Sequence, residues 1–184
     1  MEYSYSESKQ LSPHFNASEF RCKCGQNHSI KIDSNLINKL ESLFNAMKCS
    51  KIIVTSGYRC SNHDKNVGGT GTGQHTFGTA ADVICYDASG KPINTKLIAC
   101  AAQDIGFTGV GNIDASYTAI HLDVRTSGRW YGDETVNNNT LTDNFYNYYN
   151  LSKLDVYDNA PALCTHKIKL TIDGVAIVEK DVNF

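Results

Sequence analysis

The 184-residue sequence has no long apolar run and no strong excess of one charge. No stretch approaches the roughly 18–20 consecutive apolar residues that cross a bilayer, so a membrane span is not expected. The formal net charge is −2 and the pI is near 6.3. That supplies no electrostatic ground for binding nucleic acid, which needs a basic face. The first ten residues, Met1 to Gln10, are polar and lack the apolar centre of a signal peptide. Internal repeats are also missing. With 41% apolar and 20% charged residues, the composition supports a packed core of one ordinary domain, with room for a small appendage.

Cysteine is plentiful by contrast: there are seven. An odd number in a chain of this length does not suit a secreted disulfide scaffold, and synthesis in a reducing compartment is expected. Cys49, Cys85 and Cys100 lie in or beside regular segments and read as small buried hydrophobes. Cys22, Cys24 and Cys60 have His28 and His63 near them in sequence. Plain buried thiols, a structural zinc site and a disulfide are the three readings open for them.

Periodicity outlines the elements. Residues 1–29 read as a loop with short turns. Leu36, Leu40, Leu43, Phe44 and Met47 recur at helical spacing over 33–47, with Asp33 or Ser34 as cap. Lys51 to Thr55 reads as a short buried strand. The glycine-rich 61–74 reads as a long loop of the kind that carries function. Thr79 to Tyr86 reads as a strand, and Asn94 to Ile105 as a helix ended by Gly106. Thr118 to Arg125 alternates, with Ile120, Leu122 and Val124 on one face and His121, Asp123 and Arg125 on the other. Residues 133–164 read as a linker or loosely packed helix. Lys167 to Val182 reads as strand, Asp173–Gly174 turn, strand. A two-stranded unit is marginal alone, so this C-terminal β-hairpin (165–184) is expected to dock on residues 1–132 or on a second copy, forming a homo-oligomer.

The chemistry gathers at His75-Thr-Phe-Gly78-Thr-Ala-Ala-Asp82, an imidazole followed seven residues later by a carboxylate. His121, on the polar face of a later strand, is the third candidate. Two imidazoles and one carboxylate leave a fourth zinc position open, as in catalytic sites. A structural His–Asp pair is the bland alternative.

Five segments, in order, carry a family likeness, and two of them contain these candidates. They are Phe20-Arg-Cys22-Lys-Cys24-Gly25, Val54-Thr-Ser56-Gly57-Tyr58-Arg59-Cys60, Val67-Gly68-Gly69, Gln74-His75-Thr-Phe-Gly78-Thr-Ala80-Ala-Asp82, and Ile120-His121-Leu-Asp123-Val-Arg125 with Gly128-Arg129-Trp130. Over roughly residues 15–131 the sequence resembles the zinc D-alanyl-D-alanine carboxypeptidase family, above all its short catalytic domains in phage endolysins. It departs at Gly73, where the family pattern has Ser. The resemblance implies an α+β fold of the Hedgehog/DD-peptidase type, a small, mostly antiparallel sheet with flanking helices. It also implies one catalytic zinc on His75, Asp82 and His121, and Arg59 as the cation that binds a substrate carboxylate or oxyanion.

The reaction it implies is hydrolysis of stem or cross-link peptides of bacterial peptidoglycan, after phage lysis or non-classical export. The general base is less defined. Asp123, two residues after His121, is the favoured base, with orientation of His121 as its other reading; Asp114 is the more distant choice. A metal-containing module of the same fold that binds cell wall or builds a phage particle, without hydrolysis, is the alternative function.

Overall fold

The sequence folds around one five-stranded sheet, described here from a computed structural model. The structure describes residues 1–136, 140, 141 and 143–157, and the backbone of 166–172 and 175–182. The chain opens with a two-residue strand β1 (Glu2–Tyr3), a 3-10 turn (Ala17–Phe20) and β2 (Ile30–Lys31), which pairs with β1. The first 29 residues are therefore mainly irregular, as expected, but not loose. Asn16 and Glu19 form a reciprocal cap on the 3-10 turn, and Phe15, Ala17 and Phe20 are buried.

Helix α1 (Ser34–Ala46) starts where the Asp33 carboxylate accepts the Asn35 N–H at 2.7 Å. Its apolar stripe, Leu36, Ile37, Leu40 and Leu43, is buried. Helix α4 (Thr95–Ile105) is capped by Asn94 and closed by Gly106 in the left-handed conformation, as its sequence predicts. The two helices pack with each other beneath the sheet.

The sheet runs β3 (Lys51–Ser56), β4 (Ala80–Tyr86), β6 (Ile120–Asp123), β5 (Gly109–Asn112), β7 (Trp130–Asp133). All neighbours are antiparallel except β5 and β7. Alternation decides the faces. Ile52, Val54, Ala81, Val83, Cys85, Val110, Ile120 and Leu122 belong to the buried core with both helices. Asp82, His121 and Asp123 take the opposite face. The fold is the expected α+β arrangement.

Four details differ from the sequence reading. Segment 61–74 is not one loop: α2 (Ser61–Asn66) fills its first half and α3 (Gln74–Phe77) begins at its end. The strand expected over 118–125 is confined to 120–123. The Asp114 carboxylate takes the N–H groups of Thr118 (2.8 Å) and Ala119 (3.1 Å) out of the ladder. Strands β5 and β7 carry no clear strand pattern in the sequence. Residues 133–164 contain α5 (Phe145–Tyr149) and α6 (Lys153–Tyr157), and Leu141, Phe145 and Val156 join the same core.

Backbone strands β8 (His166–Ile172) and β9 (Val175–Val182) pair antiparallel in a separate two-stranded sheet. The Asp173–Gly174 turn and Cys164 lie outside the described residues. Cys49, Cys85 and Cys100 are buried, as expected, and the six described cysteines are all free thiols.

Candidate metal centre

Register alone brings two of the predicted ligands together. Asp82 on β4 is the direct cross-strand partner of His121 on β6, so their side chains rise side by side from one face. His75 arrives from α3, whose C-terminal Gly78 has φ 74°. A Cβ at Gly78 would lie 2.3 Å from the Lys31 carbonyl oxygen, so glycine is needed both for the turn and for the close approach.

The donor atoms form a small triangle. His75 Nε2 lies 3.2 Å from Asp82 Oδ1, His121 Nδ1 lies 2.9 Å from the same oxygen, and the two nitrogens are 3.2 Å apart. A tetrahedral zinc with bonds of about 2.0–2.1 Å spaces its ligands about 3.3–3.4 Å apart. The triangle fits that size, and an N₂O set suits zinc.

The far side of each ring fixes its tautomer. His75 Nδ1 sits 2.7 Å from the Gly57 carbonyl, which can only accept. His121 Nε2 sits 3.2 Å from Asp123 Oδ2. Each outer nitrogen therefore donates, and the inner lone pairs point at the Asp82 carboxylate and at each other. Such an arrangement is repulsive unless a positive charge occupies its centre.

Without a metal ion there, protons supply that charge. Burial opposes charge on His121, but the facing carboxylates of Asp123 and Asp82 prevail and raise it to about 9. Burial likewise opposes charge on Asp82, yet bonds from His121 and His75 hold its carboxyl far below the usual range. Asp123 is held down at about 2, because bonds from His121 and Arg125 outweigh its burial.

Arg59 reaches the centre from the loop after β3. A bulge between Val54 and Ser56 redirects the chain there. Its Nη2 lies 2.5 Å from Asp82 Oδ2, Nη1 lies 3.5 Å from Asp64 Oδ1, and Nε donates to Ser56 Oγ at 2.8 Å. The guanidinium thus holds the second oxygen of Asp82 while lining the cleft. Asp123 is placed differently. It is 0% exposed, bonded to His121 and to Arg125, and absent from the cleft wall. Asp114 is occupied in its own turn with Ser116 and Thr118.

The cleft holds about 540 Å³. Arg59, Asp64, Gln74, His75, Asp82, His121, Arg125, Trp130 and Glu134 line it, with the glycine-rich 67–70 and with Gly73 and Ile113. Several of these gave no clear sequence signal. Asp64 is 2% exposed and accepts the Gly71 N–H at 2.8 Å, so it shapes the loop while pairing with Arg59. Only the Val67-Gly68-Gly69 run hinted at it: a Cβ at Gly69 would meet the Asp64 carboxylate at 2.3 Å. Trp130 sits edge-on to His121 with ring centroids 5.7 Å apart. Glu134 follows β7, a strand the sequence did not reveal.

Two glycines on β5 make room for this face. Gly111 is opposite His121 and Gly109 is opposite Asp123. A Cβ at Gly111 would lie 2.4 Å from the Trp130 ring, and one at Gly109 would lie 2.0 Å from Asp123 Oδ2. Gly109→Ala should therefore push Asp123 off His121. We expect a lower melting temperature and at least about tenfold weaker metal retention, in line with loss of a ligand's orienting partner. Equal metal content and stability in the variant would contradict this packing.

An open two-histidine, one-carboxylate centre at the head of a polar cleft is the arrangement of a metal-dependent hydrolase. Residues 13–123 match the family model Peptidase M15, more than half of the chain, and the chain belongs to that family. No curated protein matches the sequence. Family membership makes the chain a peptidase by class, and the family's zinc dependence agrees with the His75, Asp82, His121 set.

Proposed function

We propose that the protein is a zinc peptidase that hydrolyses peptide bonds in the stem or cross-link peptides of bacterial peptidoglycan, as a D,D-carboxypeptidase or an endopeptidase. The observation that carries the reading is the convergence of two imidazole lone pairs and one carboxylate oxygen on a solvent-open cleft. His75, Asp82 and His121 would hold the ion. Zinc bound there supplies Lewis acidity, which lowers the pKa of water and polarises a carbonyl.

The other groups take roles from their positions. Gly57 and Asp123 lock the two rings in the tautomers that ligate. Arg59 fixes Asp82 and presents a permanent cation to a substrate carboxylate or developing oxyanion. Arg125 holds Asp123 and adds a second cation to the wall. Trp130, over whose ring Arg125 lies at 5.6 Å, offers an apolar surface to the peptide. The proton acceptor is best assigned to Glu134. It is the exposed acid of the cleft, whereas Asp64 and Asp82 are buried and paired. Asp123, the acid favoured from sequence, becomes a positioning residue.

Two outcomes follow. Glu134→Gln should lower kcat about 10²-fold or more with zinc content unchanged, the usual cost of losing a general base; an unaltered rate would remove Glu134 from the reaction. Asp123→Asn should weaken zinc retention and flatten the acid limb of stability. The folded carboxyl lies at about 2, below its ordinary 3.8. Its contribution is therefore full above about pH 4 and is lost as pH falls through 2. Wild-type protein should lose melting temperature over that interval more steeply than the variant, and parallel curves would contradict the assignment.

The reading itself is tested by a zymogram on purified cell walls, with zinc and with chelator. Clearing that chelator abolishes supports it. Metal retention without clearing would favour a cell-wall-binding or phage structural module of the same fold.

A further inference from the structure

Away from the cleft, the loop of 21–28 and the start of α2 bring a second set of ligating side chains together. The donor atoms of Cys22, Cys24, His28 and Cys60 all lie within 4.8 Å of one another. We propose that these four residues bind a structural zinc ion that clamps the N-terminal loop to the loop carrying Arg59.

The size and chemistry of the cluster suit the ion. Zinc–sulfur bonds of about 2.3 Å place tetrahedral sulfurs about 3.8 Å apart, and three thiolates with one imidazole form a closed site without an open position. A disulfide accounts for two of the three thiols and for no histidine, and these cysteines are unpaired. Simple burial explains Cys22 alone. Cys24, His28 and Cys60 are half-exposed, where a small hydrophobe gains little.

Local structure is built around the sulfurs. The Cys60 N–H points to Cys22 Sγ at 3.3 Å, and the His63 N–H points to Cys60 Sγ at 3.4 Å. Backbone donors of this kind stabilise thiolate charge. Gly25 follows Cys24 at φ 78° with no atom near its Cβ position, so the chain turns sharply there and brings His28 back to the cysteines. His28, not His63, is the fourth member.

The position explains what the ion would do. Cys60 directly follows Arg59, which grips Asp82. Tyr58 N–H bonds to the Phe20 carbonyl at 2.9 Å, two residues before Cys22. Gly57, whose carbonyl orients His75, packs so closely on Phe20 that a Cβ would lie 2.5 Å from its Cα. Loop 21–28 carries little apolar surface of its own, so a metal clamp supplies the attachment that a core would otherwise give. None of the four residues lines the cleft, so this zinc touches no substrate.

The test uses a full-length His75→Ala/His121→Gln double variant, in which the cleft has lost both imidazoles while the Gln amide keeps a donor for buried Asp123. Elemental analysis should find one zinc per chain there and two in the wild type. Cobalt loaded into the double variant should give an intense thiolate-to-cobalt charge-transfer band. A mercurial should release the zinc as three thiols react. Adding Cys24→Ser or His28→Ala should remove the ion and loosen the loop to proteolysis. If those additions prevent folding, the zinc count and cobalt spectrum of the double variant decide alone. A folded double variant with no zinc, no charge-transfer band and three freely reactive thiols, or with a disulfide among them, would overturn the proposal. Neither result depends on whether the cleft hydrolyses peptidoglycan.

Discussion

Replacing His75 or His121 with alanine is expected to empty the cleft of its metal and to lower peptidoglycan hydrolysis by about 10³–10⁴-fold, the several kcal/mol a Lewis acid supplies. Each ring contributes a lone pair at one corner of the triangle, 3.2 Å from the other. Removing one leaves an imidazole and a carboxylate, too few to hold zinc against competing water. The His121 change should be the more disruptive to folding. It also strips the Nε2 partner from Asp123, which is wholly buried beside Arg125, and a buried carboxylate short of a partner is costly. Elemental analysis and circular dichroism, taken with the hydrolysis rate, separate the two effects. Full zinc content in either single variant would show that the triangle is not the metal site.

Arg59→Ala should cost about 10²–10³-fold in kcat, the range found when an oxyanion donor is lost. Its guanidinium bridges Asp82 and Asp64, so some loss of zinc affinity is expected as well. Arg59→Lys separates the roles. Lysine keeps the charge but cannot fork onto two oxygens. It should retain zinc nearly as well as the wild type while kcat still falls by about tenfold or more. Equal rates for Arg59→Lys and wild type would restrict Arg59 to holding Asp82.

The site was more legible in the sequence than the sheet beneath it. His75, Asp82 and His121 stood out because their residue types ligate and their motifs occur in order. The alternation of Ile120, Leu122 and Val124 against His121, Asp123 and Arg125 already placed the last histidine on a polar face. The direct pairing of Asp82 with His121 was not readable, since register follows from tertiary packing. Strand β5 was hidden for a similar reason. Gly-Val-Gly-Asn is poor strand material by propensity, and its glycines make sense only under Asp123 and the Trp130 ring. Once β5 is missed, its parallel neighbour β7 and the acid that follows it, Glu134, are missed too. Asp64 looked like one polar residue among many in a loop. Its role comes from burial against Gly69 and Arg59, which no spacing encodes.

The assignment of Asp123 shows the same limit from the other side. Its distance from His121 in sequence suited either a base or an orienting residue. Its burial and its Arg125 contact, on which the proposed orienting role rests, belong to the folded chain and not to the spacing.

The most direct measurement is mass spectrometry of purified peptidoglycan fragments incubated with the zinc-loaded protein. New peptide termini should form, one bond class dominating, and should vanish with chelator and in His121→Ala. Unchanged fragments in the presence of folded, zinc-loaded protein would contradict a peptidoglycan peptidase.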